Sequence, residues 1–144
     1  MNVSESSTNK ISTEALTPIQ WAEKACETLM AKFEPELLPP ERFHYHQGVF
    51  LSGMEKVWRL TKKDQYYDYI KCWVDSHILA DGSVPKCKTD ELDDIQPGVL
   101  LFTLYEQTGD ERYKKALYNL VPLLKSWETN LSGGFWHKGH YPNQ

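Results

Sequence analysis

The 144-residue sequence predicts an all-α fold of successive antiparallel helical hairpins. Apolar residues recur at the three- and four-residue spacing of helices, and no segment shows the alternation that is typical of a strand. A segment from His46 is repeated by a segment from Ile95, and Asp64 corresponds to Asp110, 46 residues later. A repeat of this length is typical of helix hairpins, which stack because one hairpin cannot bury its own apolar face.

The first predicted helix begins after Thr17, which can form a capping box with Gln20, and Pro18 suits the first helical position. Apolar residues follow at helical spacing as far as Phe33, and the prolines of "EPELLPP" then end the helix. Polar breaks, several of them with Gly or Pro, separate four further predicted helices. The second runs from about Gln47 to Leu60, and the third begins at Asp64, which is expected to cap it. The fourth runs from about Ile95 to Gln107 and the fifth from about Glu111 to Trp127.

The predicted organisation is a polar, mobile tail over residues 1–15 and one incomplete helical domain over residues 16–144. Two and a half hairpins leave one apolar flank of the stack uncovered. We therefore expect the sequence to be the beginning of a larger domain and expect the open flank to favour self-association.

The net charge of −4 and the absence of a Lys/Arg block argue against nucleic-acid binding. No apolar run is long enough for a membrane span, and the N-terminus lacks the apolar core of a signal peptide. Cys26, Cys72 and Cys87 stand at no metal-binding spacing, and the first two are expected to pack as small apolar residues. These features favour a cytoplasmic protein.

Three loop-to-helix junctions carry most of the polar and aromatic side chains that could bind a ligand. Their sequences are "RFHYHQG" (42–48), "TDELDDIQPG" (89–98) and "GGFWHKGHYPNQ" (133–144). Because they occupy the same phase of the hairpin repeat, we expect them to emerge at one end of the stack and to share one cavity.

The second junction contains four acids, Asp90, Glu91, Asp93 and Asp94. Crowded carboxyl groups raise one another's pKa, which suits a general acid. Composition alone favours a purely structural role for Asp93 over a catalytic one, because it is placed to cap the fourth helix with Gln96 in its first turn. The histidines form His-x-His and His-x-x-His patterns that match no standard zinc spacing, so no metal is predicted.

Aromatic residues divide by their surroundings. Those at helical spacing within apolar runs are predicted core: Trp58, Trp73 and Tyr105. Those in loops beside hydrogen-bonding residues are candidates for stacking on a sugar, whose ring has an apolar face and a rim of hydroxyls: Tyr45, Trp136 and Tyr141.

Four ordered motifs, "HYHQGVFLSGM", "ELDDIQPG", "LYEQTGDERY" and "SGGFWHKGHYPNQ", carry a resemblance to the unsaturated rhamnogalacturonyl hydrolases of glycoside hydrolase family 105. The unsaturated glucuronyl hydrolases of family 88 are more distantly similar. The resemblance covers residues 17–144 and implies an (α/α)6 toroid, of which this chain would form roughly the first third. It implies no cofactor and no metal.

The resemblance also implies site residues. Asp93, rather than Asp94, matches one active-site aspartate, while Tyr45, His46 and Gln47 match the first sugar-facing junction. His137 matches a sugar-contacting histidine. The catalytic acid of the family lies in a Met-Trp-Leu-Asp-Gly segment that would follow residue 144, so these 144 residues alone are expected to be inactive.

The implied reaction acts on rhamnogalacturonan-derived disaccharides that carry a C4–C5 double bond. A carboxylic acid protonates C4, water adds at C5, and the hydrated ring opens and releases the partner sugar. Two alternatives stay open: a sugar-binding remnant without turnover, and a helical-repeat scaffold that binds a protein on its concave face.

Overall fold

The computed structural model describes residues 15–137, and this part of the chain is all-α, as the sequence predicts. Three short 3₁₀ turns and one isolated antiparallel bridge, between Thr129 and Phe135, supplement the helices. Residues 1–14, most of the predicted tail, and Tyr141 lie outside the described residues. The five α-helices are α1 (Pro18–Lys32), α2 (Tyr45–Thr61), α3 (Asp64–Asp75), α4 (Val99–Thr108) and α5 (Glu111–Lys125).

Helix α1 begins where its sequence predicts. The Gln20 backbone N–H donates to Thr17 Oγ1 at 3.4 Å, and the Thr17 N–H donates to Gln20 Oε1 at 2.8 Å, which completes the capping box. Pro18 occupies the first turn, where its missing N–H leaves no intrahelical bond unmade. The predicted start of α1 is therefore confirmed.

Two-residue turns join α2 to α3 and α4 to α5 into hairpins. Lys62 ends α2 and Gly109 ends α4, and both have the left-handed conformation, with φ of 58° and 67°. Asp110 then caps α5, since its Oδ1 accepts from the Arg112 N–H at 2.9 Å. The predicted capping role of Asp64 is wrong, because Lys63 holds the cap position and Asp64 is the first residue of α3. The structural repeat across these turns is 47 residues, one more than the sequence match suggests.

A single aromatic-rich core joins the two hairpins and α1. Trp73 is fully buried, as expected, whereas Trp58 and Tyr105 are only half-buried. Tyr113 Oη donates to Asp75 Oδ1 at 2.8 Å, so a hydrogen bond satisfies the polar end of a buried ring. The largest fully buried apolar side chains are Trp73, Tyr66, Tyr113, Phe43, Leu51, Met54, Leu100, Leu101, Leu104 and Val74.

Helix α4 begins later than predicted. Residues Leu92–Asp94 and Gln96–Gly98 form 3₁₀ turns, and the α-helix starts only at Val99. The cap position belongs to Gly98, which makes no side-chain hydrogen bond, so Asp93 does not cap this helix. Asp93 precedes this cap position by five residues, so its side chain is out of reach of the free N–H groups in the first turn of α4.

The N-terminal turn of α2 packs closely against the second junction at Gly48. A Cβ on Gly48 would overlap Gln96 Oε1 and would lie 2.9 Å from Pro97 Cγ and 3.0 Å from Pro97 Cα. The absence of a side chain at this position lets the two loop-to-helix junctions meet at the same end of the stack.

The outer side of α4 and α5 exposes an apolar face. Phe102 is 55% and Tyr118 is 69% exposed, and Val99 and Val121 also face outward. A groove of about 380 Å³ runs between the two helices along this face. The open flank expected from the repeat is therefore present in the described residues.

Cys26 is buried, as expected, but the same expectation for Cys72 is wrong. Cys72 is exposed on α3, and its Sγ donates to Glu36 Oε1 at 3.0 Å. Within residues 15–137, no helix has the length and apolar character needed to cross a membrane.

His77 is a buried imidazole within the core. Its Nδ1 lies 2.9 Å from the Trp73 carbonyl oxygen and therefore donates to it, and its ring packs against Trp73 and Phe43. Burial lowers the pKa of His77, and the bond to Trp73 offsets this only in part.

We expect Gly48→Ala to destabilise the fold by about 1–3 kcal/mol, because Pro97 cannot move away as freely as a flexible side chain. Gly53→Ala is the matched control in the same helix. No atom lies within 4 Å of a Cβ there, so it should stabilise by about 0.5–1 kcal/mol. Urea unfolding followed by circular dichroism measures both, and equal midpoints for the two variants would contradict the close approach.

We expect stability to fall as the pH drops below about 6.5, where the imidazole of an unfolded chain takes up its proton. The folded His77 takes up this proton only at lower pH, so the unfolded state binds more protons in that range. His77→Asn keeps an amide donor for Trp73 and removes the titration. Urea midpoints at pH 7.5 and 5.5 should differ less for this variant, and an unchanged difference would exclude His77 as the cause.

Candidate active site

The second junction is held to the first by the buried carboxylate of Asp94. Its Oδ1 accepts from Arg42 Nη2 and from His44 Nδ1, the latter at 2.7 Å, and its Oδ2 accepts from the Lys88 N–H at 2.7 Å. Asp94 is completely inaccessible to solvent. Three donors therefore replace water around a charge that could not be buried alone.

Cations partly neutralise the acids of this junction. Arg42 Nη2 also donates to Glu91 Oε2 at 3.0 Å, and Lys88 Nζ lies 3.2 Å from Glu91 Oε1. Burial alone would lower the pKa of Arg42, but the hydrogen bonds to Asp94 and Glu91 outweigh it and hold that pKa raised. Burial, together with the charge of Asp94, raises the pKa of the Cys87 thiol to about 11, so this thiol is no nucleophile at neutral pH.

Asp93 differs from Asp94 in its partner, because it meets the third junction. His137 Nε2 lies 3.5 Å from Asp93 Oδ2, and the Leu92 N–H donates to the His137 carbonyl oxygen at 3.4 Å. The side chains are 18% exposed for Asp93 and 44% for His137. The structure therefore brings these two predicted site residues together at a solvent-accessible position.

Tyr45 and His46 open α2 and form an exposed pair of rings. Their ring centroids lie 4.1 Å apart, and each lies 4.8 Å from the centroid of the buried His44 ring. Tyr45 is 37% exposed. The first junction thus presents two flat rings to solvent, with a third ring beneath them.

Gln47 does not face an open surface. It is buried, and its Nε2 donates to the carbonyl oxygens of Leu38, at 3.3 Å, and Pro40. Helix geometry explains the difference, because Gln47 follows Tyr45 and His46 by about 100–200° of rotation and points towards the preceding loop. Its side chain fixes that loop, and a sugar-contacting role finds no support in this arrangement.

Trp136 closes a short loop that follows α5. Its backbone N–H donates to the Glu128 carbonyl at 3.1 Å, and its own carbonyl accepts from Trp127 Nε1 at 2.6 Å. The indole is half-buried, and its Nε1 is inaccessible and unpaired among the described residues. Trp136 therefore lies beside His137 with an unused donor.

The model of glycosyl hydrolase family 88 matches residues 21–144. The chain belongs to this family. It is also similar to a solved glycoside hydrolase of family 105 from C. acetobutylicum ATCC 824, with 31% identity and a TM-score of 0.76. That match covers 85% of this chain, and the resemblance and the toroid-type helical fold drawn from the motifs are confirmed.

This family 88 chain spans only about a third of the length of the C. acetobutylicum protein, since the match covers 34% of that chain. The described hairpins therefore correspond to part of a larger helical fold in that relative. The described contacts of the second junction with the first junction and with His137 of the third all lie in this part.

One set of side chains in the family 88 chain has a spacing that could suit a cation. Ligand atoms of His44, Glu91 and Asp93 lie within 4.8 Å of one another. Arg42 and Lys88 already place positive charge against Glu91, which opposes entry of a metal ion. The expectation of a metal-free site stays a prediction.

Sequence reasoning missed the residues that hold this site together. His44 stands in a His-x-His pattern, which by itself suggests only a metal ligand, and no motif marks Arg42. The adjacent pair Asp93 and Asp94 carried a usable signal, because neighbouring residues in a 3₁₀ turn point in different directions and only one can face a shared cavity.

We expect Asp94→Asn to destabilise the protein by about 3 kcal/mol, because it leaves Arg42 and His44 without their buried anion. Asp93→Asn should change stability by less than about 1 kcal/mol, because its contact with His137 is long and partly exposed. Denaturant unfolding of both variants measures the difference. A larger loss for Asp93→Asn would reverse the assignment of the two carboxylates.

Proposed function

We propose that the three junctions form the substrate-binding side of a glycoside hydrolase that acts on unsaturated uronyl disaccharides by hydrating the C4–C5 double bond. The observation that carries the proposal is the meeting of Asp93 and His137 from separate loops, with Asp93 close to His44, whose ring contacts the exposed rings of Tyr45 and His46. Membership of family 88 supports the glycosidase class, and the sugar and the site of hydration are our proposal.

The paired rings of Tyr45 and His46 offer a flat apolar surface to one face of a sugar. Ring stacking combined with hydrogen bonds at the rim is a common way to bind a pyranose, because the apolar C–H face and the hydroxyls are spatially separated. Trp136 can contribute only the exposed part of its half-buried ring, because its indole Nε1 is inaccessible.

Asp93 and His137 would bind the sugar hydroxyls. A carboxylate oxygen accepts hydrogen bonds and an imidazole can donate or accept, so the pair can fix the orientation of a vicinal diol. Such fixed contacts place the double bond where a proton donor can reach it. Arg42 and Lys88 reduce the negative charge around the acids, so a uronate is not excluded by repulsion.

The proton donor in this scheme is a second carboxylic acid, which the motif resemblance assigns to a position after residue 144. A sugar-binding protein without turnover would use the same side chains from this part of the chain and would differ only in lacking that acid. Measurement of turnover and binding on the same samples therefore separates the two functions.

We expect a polypeptide of residues 1–144 to bind an unsaturated rhamnogalacturonan disaccharide without consuming it, and expect a longer form with the acid to consume it. The ultraviolet absorbance of the C4–C5 double bond reports turnover, and isothermal titration reports binding. Asp93→Asn should weaken binding about tenfold. Asp68→Asn, which removes an exposed charge from α3, is the matched control and should have no effect.

Two outcomes would contradict this division of roles. Turnover by the 144-residue polypeptide that Asp93→Asn abolishes would make Asp93 the sole acid. Absence of binding in every form would reject the proposed substrate class. Size-exclusion chromatography should accompany the titrations, because the apolar face of α4 and α5 favours self-association of the short form.

A further inference from the structure

The side chain of His44 is buried between the exposed rings of the first junction and the carboxylate of Asp94. It is 7% exposed and lies at the cap position of α2, yet it makes no capping hydrogen bond. Its Nδ1 is instead 2.7 Å from Asp94 Oδ1. Because a carboxylate accepts, this nitrogen carries the proton and the orientation of the ring is fixed by Asp94.

The exposed rings rest on this oriented imidazole. Tyr45 and His46 each meet the His44 ring at a centroid distance of 4.8 Å and at angles of 66° and 62°. An edge-to-face contact constrains both the distance and the tilt of the partner ring. A rotation of His44 would therefore displace the surface on which a sugar would stack.

The same carboxylate fixes the other side of the site. Asp94 follows Asp93 directly, and its Oδ2 accepts from the Lys88 N–H, which holds the turn that carries Asp93. Phe43, the neighbour of His44, is fully buried and stacks on Trp73 at 5.5 Å, so the first junction is anchored in the core. Asp94 thus joins an anchored segment to the loop of Asp93 across about 50 residues of sequence.

We propose that His44 and Asp94 form a pair of positioning residues that set the placement of the Tyr45 and His46 rings relative to Asp93. Neither residue contacts the sugar, and both act through their neighbours. The inference rests on the proposed function for its binding readout, but the geometric linkage it describes exists in the ligand-free protein.

A double-mutant cycle tests the pair in the 144-residue polypeptide with His44→Gln, Asp94→Asn and the double variant. The probe is an unsaturated uronyl-rhamnose disaccharide, and its affinity is measured by NMR titration, which detects dissociation constants in the millimolar range. We expect each single variant to weaken binding about tenfold and the double variant to weaken it by the same tenfold, because both changes break one linkage.

Two further measurements separate positioning from stability. Glu55 lies on the same helix as Tyr45, about 15 Å further along its axis, and accepts from Arg59 of α2 and Thr103 of α4. Glu55→Gln removes the charge from these contacts and should leave affinity unchanged. Without ligand, His44→Gln should shift the side-chain resonances of Tyr45, His46 and His137, and Glu55→Gln should not. If Asp94→Asn fails to fold, this comparison still tests the pair.

The outcomes are distinguishable. The positioning role is overturned if the affinity losses of the single variants add up to about a hundredfold in the double variant. It is also overturned if His44→Gln leaves the ligand-free resonances of Tyr45, His46 and His137 unchanged. A wild-type polypeptide that binds no disaccharide rejects the proposed substrate for this chain. In that case the ligand-free resonances alone decide the positioning role.

Discussion

A carboxylate that is removed from water needs several hydrogen-bond donors, and the buried side chain of Asp94 imposes this requirement on the segments around it. Its three donors come from two segments, since Arg42 and His44 precede the α2 helix and Lys88 lies 44 residues after His44. An Asp removed from water without such partners would be strongly unfavourable. The requirement therefore fixes the first and second junctions against each other more narrowly than apolar packing alone would, because hydrogen bonds depend on direction as well as distance.

The helical repeat supplies the approximate arrangement on which this network acts. The first helix of each hairpin ends in a left-handed residue, after which the second helix returns the chain, so successive loop-to-helix junctions fall at the same end. Gly48 then allows α2 to approach Gln96 and Pro97 closely. Helix packing therefore brings the first and second junctions close together, and the hydrogen bonds of Asp94 set their final positions.

The two adjacent aspartates show how the same residue type takes opposite roles. Asp94 is inaccessible and fully hydrogen-bonded, which removes it from any exchange with a ligand. Asp93 keeps part of its surface open and meets only the partly exposed His137 among the contacts described for its side chain. A turn that sends neighbouring side chains in different directions lets one acid hold the loop while the other faces solvent.

Local sequence determined the helices, their breaks and the fold class, because capping, periodicity and prolines act within a few residues. For this reason the sequence predicted the Thr17 capping box and the breaks between the helices of each hairpin. The sequence also indicated three converging junctions and, through motif resemblance, the family. It could not show that the side chain of Gln47 is buried, that Asp93 does not cap α4 or that the ring of His44 packs against those of Tyr45 and His46. Those outcomes depend on the donors that the folded chain brings to Asp94 and on the burial of one side of α2, and both are long-range contacts that no local pattern encodes.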